Sequence, residues 1–452
     1  MKTLVGCLGV LVCLLVGTGD ARGQVLYEGA RLIPGDASPV IERSALLVEG
    51  GRIVQAGPQG QIKAPASVRR VDLSGKTIMP ALIATHVHPG FQLGTSYVRE
   101  NYNRDTVLND LRRALYFGVS VAQSQGIETG DVMYDIRADQ QAGKLPGTAR
   151  LLVAGRGIGA PNAGPGGATY AGMAYEVTTE AESRKAVQEL AARKVDIVKI
   201  WVDDRNGRAP KLSPPLYRAI IDEARLHGLR VNAHVFYHDD AVDLVDAGIA
   251  GFAHLVRDKV MDDALIAAIV KRGVYVMGNL SSPRKTTYAT LPAWLSPGDP
   301  MTELLTASVS SSAMERFRAF FDKRDAKVVD GARQRYAILE QSLARLNRAG
   351  ARIILGADTG LEDHFFGMAE HLELEAMVDA GMTPAQGIVA ATSRSAEYLQ
   401  LNRKGTLRSG FDADFIVLDA NPLDAISNTR RIARVVVAGS EIDREALRSQ
   451  IH

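Results

Sequence analysis

Short apolar segments alternate with helical segments through the middle of the chain, from about residue 81 to residue 400. The apolar segments read ALIATH, GVSVAQS, ARLLVAG, DIVKIWV, LRVNAHV, GIAGFAHL, VYVMGNL and ARIILGA, and helical segments such as EAESRKAVQELAARK lie between them. Strands that alternate with helices predict a parallel sheet, and eight such units favour a (β/α)8 TIM barrel. The predicted fold class is therefore α/β.

A doubly wound open sheet is the alternative for the same alternation. Such a sheet would need a phosphate-binding fingerprint or a ligand at its switch point. The glycine-rich stretch 155–172 lacks the Gly-Lys-Ser/Thr ending of a P-loop. We interpret this stretch as a flexible loop at the mouth of the barrel.

Both ends of the chain carry short β patterns. Residues 24–80 contain VLYEGARLI, SALLVEGGRIVQAG and VRRVDLSGKTIMP, in which a Gly-Gly pair separates two alternating runs as a hairpin turn does. Residues 401–452 contain GTLRSGFDADFIVLDA and ARVVVAGSEI. We expect the two ends to form one small composite β-sandwich domain, with the barrel of residues 81–400 inserted between them.

Residues 1–23 have the pattern of a secretory signal peptide. Lys2 precedes an apolar run at residues 4–16, and small residues surround a cleavage site after Gly23. The run is short for a membrane span, so we expect no stable membrane insertion after cleavage; a retained N-terminal anchor is the alternative. Both cysteines lie in this segment, which leaves no thiolate ligand in the mature chain. A periplasmic or secreted protein is predicted.

The charge balance argues against nucleic-acid binding. Lys plus Arg total 53, Asp plus Glu total 51, and no long run of one sign occurs. A protein that binds nucleic acid would present a basic face or stripe. We therefore expect a small-molecule substrate and no nucleic-acid partner, and we expect a homo-oligomer.

Ionisable side chains mark five of the predicted strands. They are His86 and His88 at the end of strand one, Lys199 in strand four, His234 and His254 at the ends of strands five and six, and Asp358 at the end of strand eight. Residues two apart in a strand point the same way, so His86 and His88 can bind one metal ion together. In a barrel, these strand ends converge on the face where active sites form.

Each of these residues also has an ordinary structural interpretation. A histidine at a strand end can hydrogen-bond a loop, and a lysine on an apolar strand can extend to solvent. Asp358 can cap the following helix. The ordered occurrence of the whole set at strand ends is hard to obtain by chance, which favours a functional cluster.

The set resembles that of the amidohydrolase superfamily, the metal-dependent hydrolases with a distorted (β/α)8 barrel and a composite β domain. The resemblance covers nearly the whole chain after the signal segment, including SGKTIMP, MVDAGMTPAQGIVAATSRSAEYL and KGTLRSGFDADFIVLDANPL. It points to the branch with imidazolonepropionase-like and prolidase-like members. In that branch, strand four supplies a lysine that becomes carboxylated.

The resemblance implies a binuclear metal centre. One divalent ion would be bound by His86, His88 and Asp358, and the second by His234 and His254. Zinc is favoured because imidazole and carboxylate ligands suit it, with manganese, iron and cobalt as alternatives.

The resemblance also implies that Lys199 bridges both ions through a carboxylate derived from carbon dioxide. A bare ammonium beside two cations would be repelled, whereas a carbamate is an anionic ligand with two oxygens. A buried lysine with a lowered pKa is the nucleophilic form that takes up carbon dioxide.

The chemistry implied by the resemblance is hydrolysis of a C–N bond. The two ions would polarise the scissile carbonyl and activate a water as hydroxide near neutral pH. Asp358 would take the proton of that water and pass it to the leaving amine. A lactonase, esterase or organophosphate hydrolase could use the same centre. A non-catalytic binding protein is disfavoured because every ligand position is filled.

Three features depart from the family pattern. Ala81 follows Pro80 where a glycine is common, Gln123 and Gln125 replace an acidic ending of strand two, and no Gly-Gly-His follows strand three. These departures alter the walls of the pocket but remove no ligand. Residues 281–350 form the longest excursion between strands, and the sequence leaves open whether it is a lid or an outer packing layer.

Candidates for substrate recognition lie in the loops just beyond the ligand strands. They are Tyr237, His238, Arg257, Asn279 and His364. The planar guanidinium of Arg257 can bind a carboxylate through two hydrogen bonds, although it could instead pair with a neighbouring aspartate. We expect an N-acyl amino acid or a dipeptide-like amide, recognised through its free carboxylate.

Overall fold

The computed structural model describes residues 23–166 and 168–452. The predicted signal peptide, residues 1–23, lies outside these residues apart from Gly23. In the described part of the chain, no helix is both long enough and apolar enough to span a membrane.

The strands are β1 (Val25–Glu28), β2 (Arg31–Leu32), β3 (Ser44–Glu49), β4 (Arg52–Pro58), β5 (Arg69–Asp72), β6 (Thr77–Pro80), β7 (Leu82–Val87), β8 (Gln92–Leu93), β9 (Ser96–Tyr97), β10 (Val119–Ser124), β11 (Arg150–Leu152), β12 (Ile158–Gly159), β13 (Tyr175–Glu176), β14 (Val198–Val202), β15 (Val231–Val235), β16 (Gly251–Phe252), β17 (Tyr275–Met277), β18 (Arg352–Ile354), β19 (Phe415–Leu418), β20 (Ile432–Val437) and β21 (Ser440–Glu441). The α-helices are α1 (Arg104–Tyr116), α2 (Val132–Gln141), α3 (Glu180–Ala192), α4 (Pro214–Leu226), α5 (His238–Ala247), α6 (Asp263–Arg272), α7 (Ser281–Arg284), α8 (Pro300–Ser308), α9 (Ser311–Ala319), α10 (Ala326–Arg348), α11 (Met368–Asp379), α12 (Pro384–Ala391), α13 (Ser393–Tyr398) and α14 (Arg444–Arg448).

The middle of the chain forms two parallel sheets. Their strand orders are β11-β10-β7 and β13-β12-β14-β15-β16-β17-β18, and each of the eight apolar segments contributes a strand. Strands β7, β10, β14 and β15 are buried at every residue, as parallel strands covered by helices are. The predicted α/β class with a parallel sheet is therefore confirmed.

Hydrogen bonds link the edges of the two sheets, although the strand ladder is not continuous there. The amide of Thr85 donates to the carbonyl of Leu355 at 2.9 Å, and an isolated bridge pairs Val87 with Thr359. At the other edge of the smaller sheet, Val153 follows β11, and its carbonyl accepts from the amide of Asp196, just before β14, at 2.7 Å. The end of β7 consequently lies beside the end of β18.

Strands from both chain ends pair with each other. The sheet β2-β6-β19-β20-β21 combines them, since β6 runs antiparallel to β19 with Pro80 opposite Phe415. The sheet β4-β3-β1-β5 packs on it through a shared apolar cluster. The rings of Tyr27 and Phe415, one from each sheet, meet edge to face at 5.2 Å between their centroids.

Helices α7 to α10 belong to the excursion between β17 and β18. Helix α10 begins after Asp325, whose side chain accepts a hydrogen bond from the amide of Val328. Its buried residues recur every three or four positions and include Tyr336, Leu339 and Leu343. This spacing gives the helix one apolar face, which packs against the rest of the chain.

Candidate metal centre

His86 lies near the end of β7 and His88 just after it, and both meet Asp358 from the loop that follows β18. Nε2 of His86 lies 3.2 Å from Nε2 of His88, and each of these nitrogens lies 3.1 Å from Oδ1 of Asp358. Among the described residues, these three form the group whose donor atoms lie close enough together to hold one ion. The alternation of side chains along β7 places both imidazoles on the same side.

Backbone contacts hold the ends of β7 and β18 in register. The amide of His88 donates to the carbonyl of Thr359 at 2.7 Å, and the amide of Thr359 donates to the carbonyl of His86 at 3.1 Å. Gly360 has φ +94, and a Cβ there would lie 2.2 Å from the carbonyl oxygen of His88. Asp358 itself has φ +55, a conformation that costs energy for a residue with a side chain and is often found at functional sites.

Three atoms at these separations fit a tetrahedral metal ion. Zinc bound to imidazole and carboxylate at about 2.0–2.1 Å places neighbouring ligand atoms about 3.3 Å apart. The measured separations of 3.1–3.2 Å are close to that value. Nδ1 of His86 lies 3.3 Å from the carbonyl of Ala253, so this nitrogen can donate there while Nε2 keeps its lone pair for an ion.

His234 and His254 lie against this group. The His254 ring is 5.1 Å from the His86 ring and 4.5 Å from the His234 ring, measured between centroids. Nε2 of His234 donates to Oδ2 of Asp203 at 2.8 Å, which leaves Nδ1 as the nitrogen available to a ligand.

Nδ1 of His254 accepts from Asn279 at 2.8 Å and from Arg257 at 3.0 Å.

Lys199 is 1% exposed, and its ammonium has no hydrogen-bond or ion-pair acceptor among the described residues. Its Nζ lies 5.5 Å from the centroid of the Trp201 ring. Gly126 has φ +89 and leaves room for the lysine, because a Cβ there would lie 2.8 Å from Cβ and Cγ of Lys199. Burial lowers the pKa of Lys199 to about 7, although Asp358 and Glu128 act in the opposite direction.

The protonation states of the cluster suit metal binding. Burial lowers the pKa of His86 to about 3 and that of His234 to about 4, so both imidazoles are neutral at pH 7. Burial alone would raise the pKa of Asp358, but the imidazoles of His86 and His88 hold it well below its usual value. Neutral imidazoles and an ionised carboxylate are the forms that bind cations.

A cavity of about 570 Å³ opens beside this cluster. Its lining includes Asp358, Arg257 and Asn279, together with Lys285 and Arg335 from the excursion of residues 281–350. The excursion therefore contributes directly to the wall of the cavity through α7, α10 and the turn after α7. It is more than an outer packing layer.

A second cavity of about 510 Å³ lies on the other side of Phe236 and Arg257, which line both. Its wall contains Gly164 and Gly166 of the glycine-rich stretch, so this stretch does border the mouth of the site. Asp203 and Arg205 also contribute, and Arg205 donates from Nη1 to Oδ2 of Asp203 at 3.1 Å.

The predicted substrate-binding residues fall into two groups. Arg257 and Asn279 line the 570 Å³ cavity. Tyr237, His238 and His364 are not among the described residues that line either cavity. The Tyr237 hydroxyl donates to Asp204 at 2.8 Å, the His238 ring lies 3.2 Å from Asp239, and Nε2 of His364 lies 3.0 Å from the carbonyl of Ala357.

Sequence reasoning missed several groups at the site. Asp203 ends strand four, one residue after Val202, and this position at a strand end was a usable signal. Lys285 and Arg335 carried no signal because they lie far apart in the chain and outside the strand ends.

Gln125, one of the departures from the family pattern, donates to the carbonyl of Thr85 at 2.8 Å and accepts from Asn232 at 3.1 Å. Gln125 follows β10 and hydrogen-bonds residues of β7 and β15, so it links these three parts of the fold.

Comparison with known proteins identifies the family. The model of the Amidohydrolase family matches residues 77–442. The chain belongs to the amidohydrolase family. This membership confirms the resemblance and the expectation of a hydrolase that acts on C–N bonds.

Several known proteins are similar over most of this chain. Ochratoxinase of Aspergillus niger is 25% identical over 458 residues, which cover 91% of this chain and 84% of that protein. Imidazolonepropionase of Streptomyces coelicolor is 26% identical over 400 residues, covering 85% of this chain and 88% of that protein. The structure of an Xaa-Pro dipeptidase with bound methionine in the active site superposes with a TM-score of 0.73 at 21% identity, covering 93% and 99% of the two chains.

Proposed function

We propose that this amidohydrolase uses two divalent metal ions to release an amino acid from an N-acyl amino acid or a dipeptide-like amide. The observation that carries the proposal is the position of Arg257. Its guanidinium lies 3.0 Å from His254, lines the same cavity as Asp358, and forms no ion pair with a carboxylate among the described residues. A half-buried arginine without an ion-pair partner is suited to bind the carboxylate of a substrate.

The proposal includes a distorted (β/α)8 barrel built from the eight parallel strands, with the candidate ligands at their carboxyl ends. His86, His88 and Asp358 would hold one ion. The second ion would be held by His234 and His254. Bound there, two divalent cations would polarise the scissile carbonyl and lower the pKa of a water.

Lys199, as a carbamate, would be a ligand shared by the two metal sites. The unpartnered position of its amine supports this role, because a buried ammonium without a hydrogen-bond acceptor is costly. The neutral amine adds to carbon dioxide, a C–N bond forms, and one proton leaves to solvent. The product is an anion with two oxygens, placed among neutral imidazoles.

Asp358 would move the proton that the reaction requires. Its carboxylate is ionised and lies beside the histidines, so it can accept a proton from the attacking water. The hydroxyl of that water adds to the carbonyl carbon, and Asp358 returns the proton to the amine nitrogen as the C–N bond breaks. One water is consumed, and an acid and an amine are formed.

Arg257 would orient the substrate by binding the carboxylate next to the scissile nitrogen. An interaction at this position requires a substrate with a free acid beside its amide. The name of one similar protein, Xaa-Pro dipeptidase, fits such a substrate, since a dipeptide carries an amide and a free carboxylate.

A matched panel of substrates tests the proposal. Metal-loaded protein is assayed with N-acyl amino acids, the corresponding carboxamides, aryl esters, lactones and a phosphotriester. We expect hydrolysis of the acids with a kcat/KM at least tenfold above that of the carboxamides. Equal turnover of acids and carboxamides would contradict the role of Arg257. Turnover of esters or lactones alone would replace the proposal with an esterase or lactonase.

A further inference from the structure

The 570 Å³ cavity contains more positive charge than one substrate carboxylate would neutralise. Arg257, Lys285 and Arg335 all line it. None of the three lies within 4.0 Å of a carboxylate oxygen among the described residues. The wall also contains two carboxylates, but both already have partners. Asp358 lies 3.1 Å from His86 and His88, and Glu362 pairs with Arg316 at 3.2 Å.

Several cations with little exposure elsewhere in the described chain have acidic partners. The side chain of Arg430 is 3% exposed and pairs with Asp299 at 3.3 Å, and that of Arg113 is 7% exposed and pairs with Asp110 at 2.9 Å. Lys404, 13% exposed, pairs with Asp412 at 3.3 Å. Arg257 and Lys285, both half-buried, have no such partner among the described residues, whereas Arg335 is exposed.

The partners that these three cations do have are neutral. Lys285 donates to the carbonyl of Glu362 at 2.8 Å, which leaves two of its N–H groups for a ligand. Arg257 donates to the imidazole of His254. Arg335, at the exposed mouth, has no hydrogen-bond or ion-pair partner among the described residues. Burial lowers the pKa of Lys285, although the charges of Asp363 and Glu362 act in the opposite direction.

The cations lie in two places. Arg257 contacts His254 and is therefore next to the candidate metal ligands, where the carboxylate beside the scissile nitrogen would lie. Lys285 and Arg335 belong to the excursion of residues 281–350. Pro283, Tyr336 and Leu339 supply apolar surface in the same wall, suited to the methylene groups of an amino-acid side chain.

We infer that the amino acid released by the enzyme is dicarboxylic, of the aspartate or glutamate class. Its main-chain carboxylate binds Arg257, and its side-chain carboxylate binds Lys285 and Arg335. This inference rests on the proposed function, because it assumes that the cavity receives the leaving amino acid. Each added ion pair neutralises a cation that the protein itself leaves unpaired.

The experiment compares three substrates with the same acyl group: N-acetyl-glutamate, N-acetyl-glutamine and N-acetyl-leucine. For the metal-loaded protein, we expect kcat/KM to be at least tenfold higher for the glutamate substrate than for the other two. Equal values for all three would overturn the inference and leave the proposed function intact. Hydrolysis of none of them, with hydrolysis of esters or lactones, would refute the proposed function itself.

Variants of Lys285 and Arg335 test whether these residues cause the preference for N-acetyl-glutamate. Lys285→Gln and Arg335→Gln should each lower kcat/KM for N-acetyl-glutamate by tenfold or more and leave N-acetyl-glutamine unchanged. Lys285→Arg should keep much of the preference. Lys327→Gln, an exposed position on α10 outside the cavity, is the control and should change neither substrate.

A binding measurement on folded protein separates loss of substrate recognition from loss of activity by misfolding. Calorimetry with glutamate and glutamine, the free products, should show tighter binding of glutamate to the wild type and a loss of that difference in folded Lys285→Gln and Arg335→Gln. Equal effects of Lys327→Gln and Lys285→Gln would overturn the assignment of these residues.

Discussion

Nε2 of His234 donates a hydrogen bond to Oδ2 of Asp203 at 2.8 Å, with both side chains buried. The contact joins the end of β14 to β15, which are parallel neighbours with Trp201 opposite His234. Burial would raise the pKa of Asp203, but the hydrogen bond from His234 and the nearby Arg205 lower it to about 2. Asp203 is therefore an ionised acceptor that selects one tautomer of His234 and leaves Nδ1 for an ion.

Replacing Asp203 tests this relationship. Asp203→Asn removes the charge that orients His234, so metal affinity at the second site should fall by about 10–100-fold. Elemental analysis and a competition titration with a chelator measure the change. Asp204→Asn is the matched control, because it removes the charge of the carboxylate that accepts from the Tyr237 hydroxyl in the same turn. If both variants retain two metals equally, Asp203 does not position His234.

Lys199 is predicted to carry a carbamate. Protein loaded with metal in the presence of ¹³C-labelled bicarbonate should show a carbamate carbon by NMR. Lys199→Ala should lose this signal and retain fewer than two metals per chain, because the anion that links the two ions is gone. Lys185→Ala, at an exposed position of α3, should behave as the wild type. A wild-type protein with two metals and no carbamate signal would refute the prediction.

Arg257→Gln should act on substrates with a free carboxylate only. Removal of one partner of a buried ion pair costs about 2–5 kcal/mol, so kcat/KM for N-acyl amino acids should fall by a factor of about 30 or more. The corresponding carboxamides should react at an unchanged rate. Arg225→Gln, on the exposed side of α4, serves as the control. A uniform loss for acids and carboxamides would indicate a structural defect instead.

Glu373 is predicted to make folding stability depend on pH. Its oxygens accept the amides of Leu280 at 3.0 Å and Ser281 at 2.7 Å, and burial raises its pKa to about 7. The folded state therefore binds more protons than the unfolded state between about pH 4.5 and pH 7, and this contribution to stability is lost as the pH rises through that window.

The measurement compares the wild type with Glu373→Gln in urea unfolding from pH 5 to pH 8. Raising the pH should reduce the wild-type free energy of unfolding by about 1–3 kcal/mol relative to the variant, which cannot ionise. Glu303→Gln, at an exposed position of α8, should follow the wild type. Parallel curves for the wild type and Glu373→Gln would show that Glu373 does not titrate in this window.

We also propose that the protein is exported to the periplasm or the medium. Mass spectrometry of the purified mature protein should give an N-terminus at Gln24, after cleavage at Gly23. The reason is the basic residue, apolar run and small residues of the first segment. Intact Met1 on cytosolic protein would contradict the prediction, and intact Met1 on membranes would indicate a retained anchor.

Much of the fold could be predicted from the sequence because the patterns that indicate strands and helices lie in neighbouring residues. Eight apolar segments separated by helical segments predicted the parallel strands, and all eight contain one. The spacing of His86 and His88 predicted a shared side of β7, because alternation along a strand is a property of the backbone alone. The resemblance to amidohydrolases brought the remaining candidate ligands into the same set, and the structure brings the His254 ring against the rings of His86 and His234.

The sequence by itself determined the strand–helix order, the pair of histidines on β7 and the family of the protein, because each depends on neighbouring residues or on a motif. Only the tertiary structure decided that Asp203 holds His234, that Tyr237, His238 and His364 bind other parts of the protein, and that Lys285 and Arg335 border the same cavity as Arg257. Such contacts join residues far apart in the chain. They depend on strand register and helix packing, which no local pattern encodes.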